Sequence, residues 1–298
     1  MNAIAVFGFQ VLWSPLFGAF LLSILVLYYI LIGPMRSRFV DSESVSTLQK
    51  LSFTIGILLL YVALGSPIDV IGHILFSVHM LEMAVMLLIV PPLLLLGLPI
   101  WLLQIVVSHK IPASLLIRMN PLVALFLFNG LFSVYHVPFL FDMIKQSQLL
   151  HSLTLCVLFF TSLMMWWPIL NPLPAYQLLS DLKKIAYMFA SGILLTPACA
   201  LIIFASEPLY ATYALPQAWM QAMDLCVPFE TLSTLGISGP QYFHWLPLLE
   251  DQQAGGVVMK IIQEFVYIAV IGHVFFQWVK KEKKKEEEWI QPYEGVKE

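Results

Sequence analysis

The sequence predicts an all-α integral membrane protein with seven transmembrane helices. Of its 298 residues, 60% are hydrophobic and only 11% are charged, and the mean hydropathy is +0.86. A soluble domain carries roughly a quarter of its residues as Asp, Glu, Lys or Arg, because its surface faces water. This chain has too few charges to form such a surface, and we expect it to cross the bilayer several times.

Seven apolar runs are long enough to cross a hydrocarbon core of about 30 Å, which takes about 20 helical residues. The second run is short and ends in the turn sequence Gly65-Ser66-Pro67, and Asp69 follows. Because a carboxylate is costly in lipid, we expect the chain to re-enter at once as the third span. The predicted spans are residues 11–32, 51–66, 70–97, 121–140, 149–170, 185–206 and 256–279.

These spans form a predicted membrane domain of residues 1–279, followed by a charged cytoplasmic tail at 280–298. Residues 99–119, between the third and fourth spans, are too polar at their end to cross and are expected to lie along the inner interface. A large outer loop at 207–255 separates the last two spans.

Basic residues in the connections predict the orientation, because Lys and Arg are retained on the cytoplasmic side. Connections between spans alternate between poor and rich in basic residues. The poor set has only Lys145, between the fourth and fifth spans, and its loop at 207–255 contains no Lys or Arg. This pattern predicts an outer N-terminus and an inner C-terminus. The inner connections carry Arg36, Arg38, Lys50, Lys110, Arg118, Lys183, Lys184 and the lysines of the tail.

Several function classes lack the residues they need. The net charge of -3 suggests no nucleic-acid partner. Cys156, Cys199 and Cys226 form no CxxC pair, which argues against thiol-disulfide chemistry and zinc fingers. There is no nucleophile–base constellation, phosphate loop or nucleotide motif, so we predict that the protein is not an enzyme and has no catalytic residues.

Histidines concentrate toward the predicted outer side. An ionisable group within a span costs about 2.5 to 3.5 kcal/mol, so a set of them usually faces the bundle interior or a water-filled pocket. A single membrane histidine is more often structural, and it is the grouping that indicates a site. The outer histidines are His73, His79, His136, His151 and His244, whereas His109 and His273 fall toward the inside.

The third span combines histidine, carboxylate and methionine at helical spacing. Imidazole and thioether are ligand types that hold Cu(I), whereas Zn(II) or Mg(II) would call for more thiolate or carboxylate. A carboxylate such as Glu82 would orient a ligand histidine or carry protons released on binding. Methionine at this spacing is also a common packing residue. His79, Glu82, Met83 and Met86 form one stripe, with His73, Ser77 and Met80 on a neighbouring face.

The outer loop contains two further features. Met220, Met223 and Cys226 are spaced at i, i+3 and i+6, which suits either soft metal ligands or, as we favour, the buried edge of an amphipathic helix. At the end of the loop, Asp251 is expected to cap the start of the last helix and to contact a proton or a cation.

The order of several short motifs resembles one family. The motifs are Gly65-Ser66-Pro67-Ile-Asp69 leading to His73, Ser77-Val-His79-Met80, Pro91-Pro92, Gly97-Leu-Pro99, Tyr135-His136, His151, Trp167-Pro168, Pro208-Leu-Tyr210-Ala-Thr-Tyr213 and Asp251-Gln252-Gln253-Ala-Gly255-Gly256. Together they resemble the Bacillus-type CtaG proteins, membrane-integral factors of cytochrome c oxidase assembly. The resemblance implies seven spans in a bacterial plasma membrane and an oxidase subunit as partner.

The resemblance also implies a role in forming an oxidase copper centre, with outer histidines as the copper site. Many relatives carry a second histidine one turn after the His-Met pair, where this chain has Met83. Met83 keeps a ligand type for Cu(I) but puts an all-histidine site in doubt.

The leading hypothesis is a Cu(I) site at the outer side, from which copper passes to an oxidase subunit. The predicted ligands are His79 with His136 and His151, together with His73, Met80 and Met83, and the predicted proton or cation contacts are Asp69, Glu82 and Asp251. The lipid bilayer is the other predicted partner, and the sequence leaves homo-oligomerisation open.

Three alternatives remain. One is a haem protein in which paired histidines are the axial ligands. The scarcity of basic groups for the haem propionates argues against it, because Lys145 is the only one on the outer side. Another is a metal-free scaffold that holds an oxidase subunit. A channel or carrier is the third, and the lack of an internal repeat counts against it.

Overall fold

The computed structural model describes residues 7–39, 41–108, 119–173, 176–224 and 245–294, with positions 227, 232, 234, 236–240 and 243 between them. Over these residues the chain forms helices and no strands. Six helices are long and apolar enough to cross a membrane, and a bent pair raises the number to seven if it counts as one span. The predicted class, an all-α multi-pass membrane protein, is confirmed.

The helices are named here in chain order. The span helices are α1 (Phe9–Ile32), α2 (Thr47–Gly65), α4 (Phe76–Gly97), α8 (Gln148–Leu170), α9 (Asp181–Ile203) and α12 (Leu248–Glu294), and the bent pair is α6 (Pro121–Tyr135) with α7 (Pro138–Lys145). The shorter helices are α3 (Pro67–Ile74), α5 (Ile100–Ser108), α10 (Ala211–Ala214) and α11 (Pro216–Met223).

Successive spans alternate in direction, so the bundle has two distinct ends. The end at which α1, α4, α8 and α12 begin carries the four predicted site histidines, and we call it the histidine end. The opposite end carries the basic connections and is called the basic end. There, a capping box between Ser46 and Gln49 starts α2, and Lys281 pairs with Asp181 at 2.8 Å.

The centre of the bundle is α4. In its most apolar stretch 61% of the residues are buried, against 44% or less for the other straight spans. It packs against α2, α8 and α12. Close approach to α2 depends on Gly97, because a Cβ at this position would lie 2.6 to 2.8 Å from Phe53 atoms. Only glycine fits there.

The predicted third span, residues 70–97, is wrong as a single helix. The backbone is extended at Leu75 (φ -117°, ψ 124°), which separates α3 from α4. The break is stabilised from α12, where Asp251 accepts a hydrogen bond from the backbone N–H of Phe76 at 2.8 Å. His73 therefore lies on a different helix from Ser77 and Met80, and the helical face predicted to join these three residues does not exist.

The predicted fourth span, residues 121–140, is also broken. The pair α6 and α7 bends by 80° at His136 and Val137. Pro138 occupies the first turn of α7, and the residue before a proline is pushed toward an extended conformation, as Val137 shows (φ -67°, ψ 123°). The bend turns α7 across the histidine end of the bundle.

Proline also shapes α4, which contains a π-helical stretch at Val85–Ile89. Pro91 has no N–H for the carbonyl of Leu87, four residues earlier. That carbonyl accepts instead from Ser162 Oγ at 2.5 Å and from Trp166 Nε1 at 3.1 Å, both on α8. The lost helical bond is thus replaced by two contacts that tie α8 to α4.

Some predictions fall on positions outside the described residues. These positions are His109, Lys110, Arg118, Cys226 and His244. The predicted interfacial segment 99–119 contains the helix α5, which begins after a break at Leu98 and Pro99 and is described up to Ser108.

Candidate metal centre

Four histidines gather at the histidine end, each from a different element. His73 comes from α3, His79 from α4, His136 from the α6–α7 bend and His151 from the first turn of α8. None is more than 7% exposed. The breaks at Leu75 and at His136 are what bring α3 and the bend into this region, so the polar groups converge where the helices are interrupted.

His73 and His151 form a close pair. Their ring centroids are 5.3 Å apart and the rings meet edge to face at 78°. His73 Nδ1 lies 2.9 Å from the backbone carbonyl of Asp69, and because a carbonyl only accepts, Nδ1 carries the hydrogen. Burial, with the charge of Lys145, lowers the pKa of His73 to about 3. The ring is neutral at pH 7 and presents a lone pair at Nε2.

His136 is held in the same way as His73. Its Nδ1 donates to the carbonyl of Phe132 at 2.8 Å, which leaves a lone pair at Nε2. The ring lies against Phe132, with centroids 4.3 Å apart. Its own backbone carbonyl accepts from the Tyr210 hydroxyl at 2.9 Å. The ring orientation is therefore fixed from two sides.

His79 differs from the other three, because both of its nitrogens face polar groups. Nε2 lies 3.3 Å from the Tyr135 hydroxyl, and Nδ1 lies 3.8 Å from Glu82 Oε2. The ring packs edge-on against Phe141 at 5.4 Å. His79 occupies the inner part of the cluster, next to α6.

Three buried imidazole nitrogens in the described part of the chain have no hydrogen-bond partner: His73 Nε2, His136 Nε2 and His151 Nδ1. Leaving a buried polar atom unsatisfied costs about 1 to 3 kcal/mol. At the same time, no three His, Cys, Asp or Glu side chains among the described residues are arranged to hold a metal ion together. The structure therefore brings together a histidine pair and two nearby histidines, and no preformed cage.

A half-buried acid, a buried acid and a buried lysine accompany the histidines. Burial raises the pKa of Asp69 to about 7, although the Lys145 charge opposes this effect. Glu82 packs against Gly72, where any side chain would collide with its carboxylate oxygens. Lys145 is only 1% exposed, and its charge acts on both acids. Sequence reasoning placed Lys145 in an outer connection and missed its place in the cluster.

The two predicted methionine ligands lie in the hydrophobic core. Met80 is fully buried and Met83 is 1% exposed. Met80 fits against α12 because Gly255 has no side chain, and a Cβ at Gly255 would lie 3.0 Å from Met80 Cγ. Both residues stay predictions as ligands.

Asp251 caps a helix, but not its own. It accepts from the backbone N–H of Phe76 and from the Ser77 hydroxyl, and so starts α4. The neighbouring Gln252 accepts from the Leu209 N–H at 2.7 Å, and Gln253 donates to the Ala205 carbonyl at 3.0 Å. The Asp-Gln-Gln motif thus joins the start of α12 to the start of α4 and to the chain after α9.

The histidine pair faces a partly open cavity of about 630 Å³ between α1, α3 and α8. Its wall includes Asp69, His73 and His151, together with Ser14 at the break in α1. Cys156, an exposed free thiol on α8, also lines this cavity. Sequence reasoning missed Cys156, because the search for cysteine pairs gave it no partner.

The fold and the site define a multi-pass membrane protein with a buried histidine cluster at one end of its bundle. A family model described as cytochrome c oxidase caa3 assembly factor (Caa3_CtaG) matches residues 26–281, and the chain belongs to this family. No curated protein and no solved structure matches it. The resemblance drawn from the sequence motifs is confirmed, and with it a bacterial membrane location and an oxidase subunit as partner.

Proposed function

We propose that the protein serves oxidase assembly by holding a Cu(I) ion at the histidine end, bound first by His73 and His151, and by passing it to an oxidase subunit. The observation that carries this proposal is the set of buried imidazole nitrogens without hydrogen-bond partners. A bound cation would satisfy them, since a neutral imidazole nitrogen is a common ligand of copper. Copper is the cargo in this account, and no chemical reaction of the protein is required.

The tautomers support a ligand role. Metal-bound histidines almost always donate their second ring N–H to a carbonyl, a carboxylate or water, which fixes the tautomer and the ring orientation. His73 and His136 donate Nδ1–H to the carbonyls of Asp69 and Phe132 and keep Nε2 available. The sequence folds these two rings into the form that metal binding needs.

Cu(I) suits this site better than harder cations do. Mg²⁺ and Ca²⁺ need several oxygen ligands, and structural Zn²⁺ is held by four protein ligands in a tetrahedral site. The described residues offer a pair of imidazoles, without a cage of three acid, cysteine or histidine ligands. Low ligand number also fits a cargo ion, which has to leave the site.

The surroundings suggest a path and a charge balance. The partly open cavity beside His73 and His151 would give an ion access to the pair. His136 and His79 extend the site inward from that pair. A bound cation adds positive charge close to Lys145, and the carboxyl groups of Asp69 and Glu82 would offset it by releasing protons.

The test is the metal content of the full-length protein, purified in detergent and loaded anaerobically with Cu(I), with a visible spectrum of the same sample. We expect about one tightly held copper and no Soret band. His73→Ala and His151→Ala should lose most of the copper. His273→Ala is the matched control, because His273 is exposed near the basic end, where it bonds Gln277 at 2.8 Å.

Full copper occupancy in both His73→Ala and His151→Ala would overturn the proposed site. A Soret band would favour the haem-binding alternative, with paired histidines as axial ligands. Neither copper nor haem would favour a scaffold that holds an oxidase subunit and uses its histidines structurally.

A further inference from the structure

A second polar feature lies outside the histidine cluster, on the exposed face that α9 and α12 form along the side of the bundle. A cavity of about 420 Å³ opens between α9 and α12, and we call it the α9–α12 groove. Its walls include Phe189, Gly192, Ile193 and Thr196 from α9, and Lys260 and Glu264 from α12. Most of its lining is apolar, so the ion pair that Lys260 and Glu264 form is the unusual part.

The groove lies near the middle of the membrane. The helix α9 has 23 residues, about 34 Å at 1.5 Å per residue, and Gly192 is eleven residues from either end. A Cβ at Gly192 would lie 3.2 Å from Gln263 Nε2, which places Gln263 and Glu264 at the same depth. Exposed apolar side chains flank Glu264 along α12, with Ile261, Phe265 and Ile268 at 49%, 74% and 64% exposed.

An exposed ion pair at this depth is costly. Lys260 Nζ lies 2.8 Å from Glu264 Oε1, and the two side chains are 28% and 51% exposed. Lys260 also donates to Thr196 Oγ1 and to Gln263 Oε1, both at 3.1 Å. In the described part of the chain, the hydrogen bonds that Glu264 accepts reach Oε1, and none reaches Oε2. An ionisable group inside the membrane normally faces protein or water.

Two small residues line the groove on the α9 side. Gly192 and Thr196 are four residues apart on α9, the spacing that lets helices approach closely in a membrane. Both contact α12, where Gly192 lies against Gln263 and Thr196 accepts from Lys260. Bulky exposed side chains stand on the same helix, with Phe189 at 60% and Ile193 at 71%. The groove therefore has a floor where α9 and α12 meet, apolar sides and a carboxylate oxygen that accepts no hydrogen bond from the described residues.

We propose that the α9–α12 groove binds a transmembrane helix of the oxidase subunit, which brings a hydrogen-bond donor to Glu264 Oε2. Charge complementarity sets the chemistry of the partner: Ser, Thr, Asn, Gln or a basic side chain at mid-membrane depth, on an otherwise apolar helix with a small-residue face. The inference rests on the family role in oxidase assembly and does not depend on the copper site.

The experiment uses the full chain in membranes of a host that makes the oxidase. A photo-crosslinking amino acid at Ile193 should capture an oxidase subunit, identified by mass spectrometry. The same amino acid at Phe160 is the control, because Phe160 is 54% exposed on α8 and does not line the groove. We expect no oxidase adduct from position 160.

Two variants test the details. Gly192→Leu fills the groove and should abolish the adduct, whereas Gly130→Leu should leave it unchanged, because a Cβ at Gly130 meets nothing within 4 Å. Glu264→Gln keeps the shape and should weaken capture roughly 3- to 30-fold, the range for one interhelical hydrogen bond in a membrane.

Adducts with lipid alone, or with a second copy of this chain alone, would overturn the proposal. So would an oxidase adduct that survives Gly192→Leu. The copper content of Gly192→Leu should equal that of the unmodified protein, so a loss of capture with copper retained separates this proposal from the copper site.

Discussion

His73 and His136 share one arrangement, in which Nδ1 donates to the backbone carbonyl four residues earlier on the same helix. This contact needs no second side chain, and it selects the tautomer with a free Nε2. The remaining neighbours fix the backbone: the Tyr213 hydroxyl donates to the Gly72 carbonyl at 2.6 Å, and Tyr210 donates to the His136 carbonyl. At the scale of single residues, the tyrosines position the elements that carry the histidines.

Gly72 tests how tightly the Glu82 carboxylate is enclosed. A Cβ at Gly72 would collide with the Glu82 carboxylate, which is the flexible end of its side chain but has little room to move, because Glu82 is only 5% exposed and lies beside His79. Gly72→Ala should therefore destabilise the protein by about 1 to 3 kcal/mol, as expected for overpacking in a core. Thermal unfolding in detergent measures the effect. Gly130→Ala is the control, and equal melting temperatures for the two variants would contradict the placement of Glu82.

The interrupted helices are the main feature at the scale of elements. The breaks at Leu75 and His136 free backbone N–H and C=O groups that an unbroken helix would pair internally. Within a membrane, each of these groups needs a hydrogen-bond partner from the protein. Asp251 provides one for the start of α4, and Asp142 does the same for α10 by accepting from the N–H groups of Ala211 and Thr212. These contacts join segments far apart in the chain at the histidine end.

Asp251→Ala tests this role. The substitution leaves the N–H of Phe76 unpaired in a buried position and removes the partner of the Ser77 hydroxyl, so we expect a loss of about 1 to 3 kcal/mol. Denaturation followed by circular dichroism measures the change. Glu250→Ala, at the exposed neighbouring position, should be close to neutral. A neutral Asp251→Ala would show that α4 does not depend on this cap.

At the scale of the whole molecule, the bundle separates a histidine end from a basic end. The positive-inside rule predicts that the basic end faces the cytoplasm. A reporter that functions only in the cytoplasm should therefore be active when it is fused after the C-terminus. A reporter that functions only outside the cytoplasm should be active when it is fused before residue 1. The reverse pattern would place the histidine cluster on the cytoplasmic side and exclude delivery to an outer copper centre.

Much of the bundle was predictable from sequence, because twenty-residue apolar runs have few alternatives to a spanning helix. The breaks were not. Residues 70–97 are almost continuously apolar, and the cap that starts α4 comes from Asp251, 175 positions away from Phe76. Local periodicity carries no information about such a contact.

The candidate site was predictable in part. The four histidines share a depth, which the spans and their alternation imply, but their pairing depends on the breaks. His73 was assigned to a helical face with Ser77, and the structure places it beside His151 instead. Lys145 and Cys156 were missed, because burial of a lysine at the end of α7 and the lining of a cavity are set by tertiary packing.

Copper K-edge absorption of the Cu(I)-loaded protein shows whether His73 and His151 bind Cu(I) together. For the Cu(I)-loaded protein we predict a low-coordinate spectrum with imidazole nitrogen ligands. In His151→Ala we predict that this signature disappears together with most of the bound copper, whereas His273→Ala should match the unmodified protein. An unchanged spectrum at full copper occupancy in His151→Ala would show that His73 and His151 do not bind Cu(I) together.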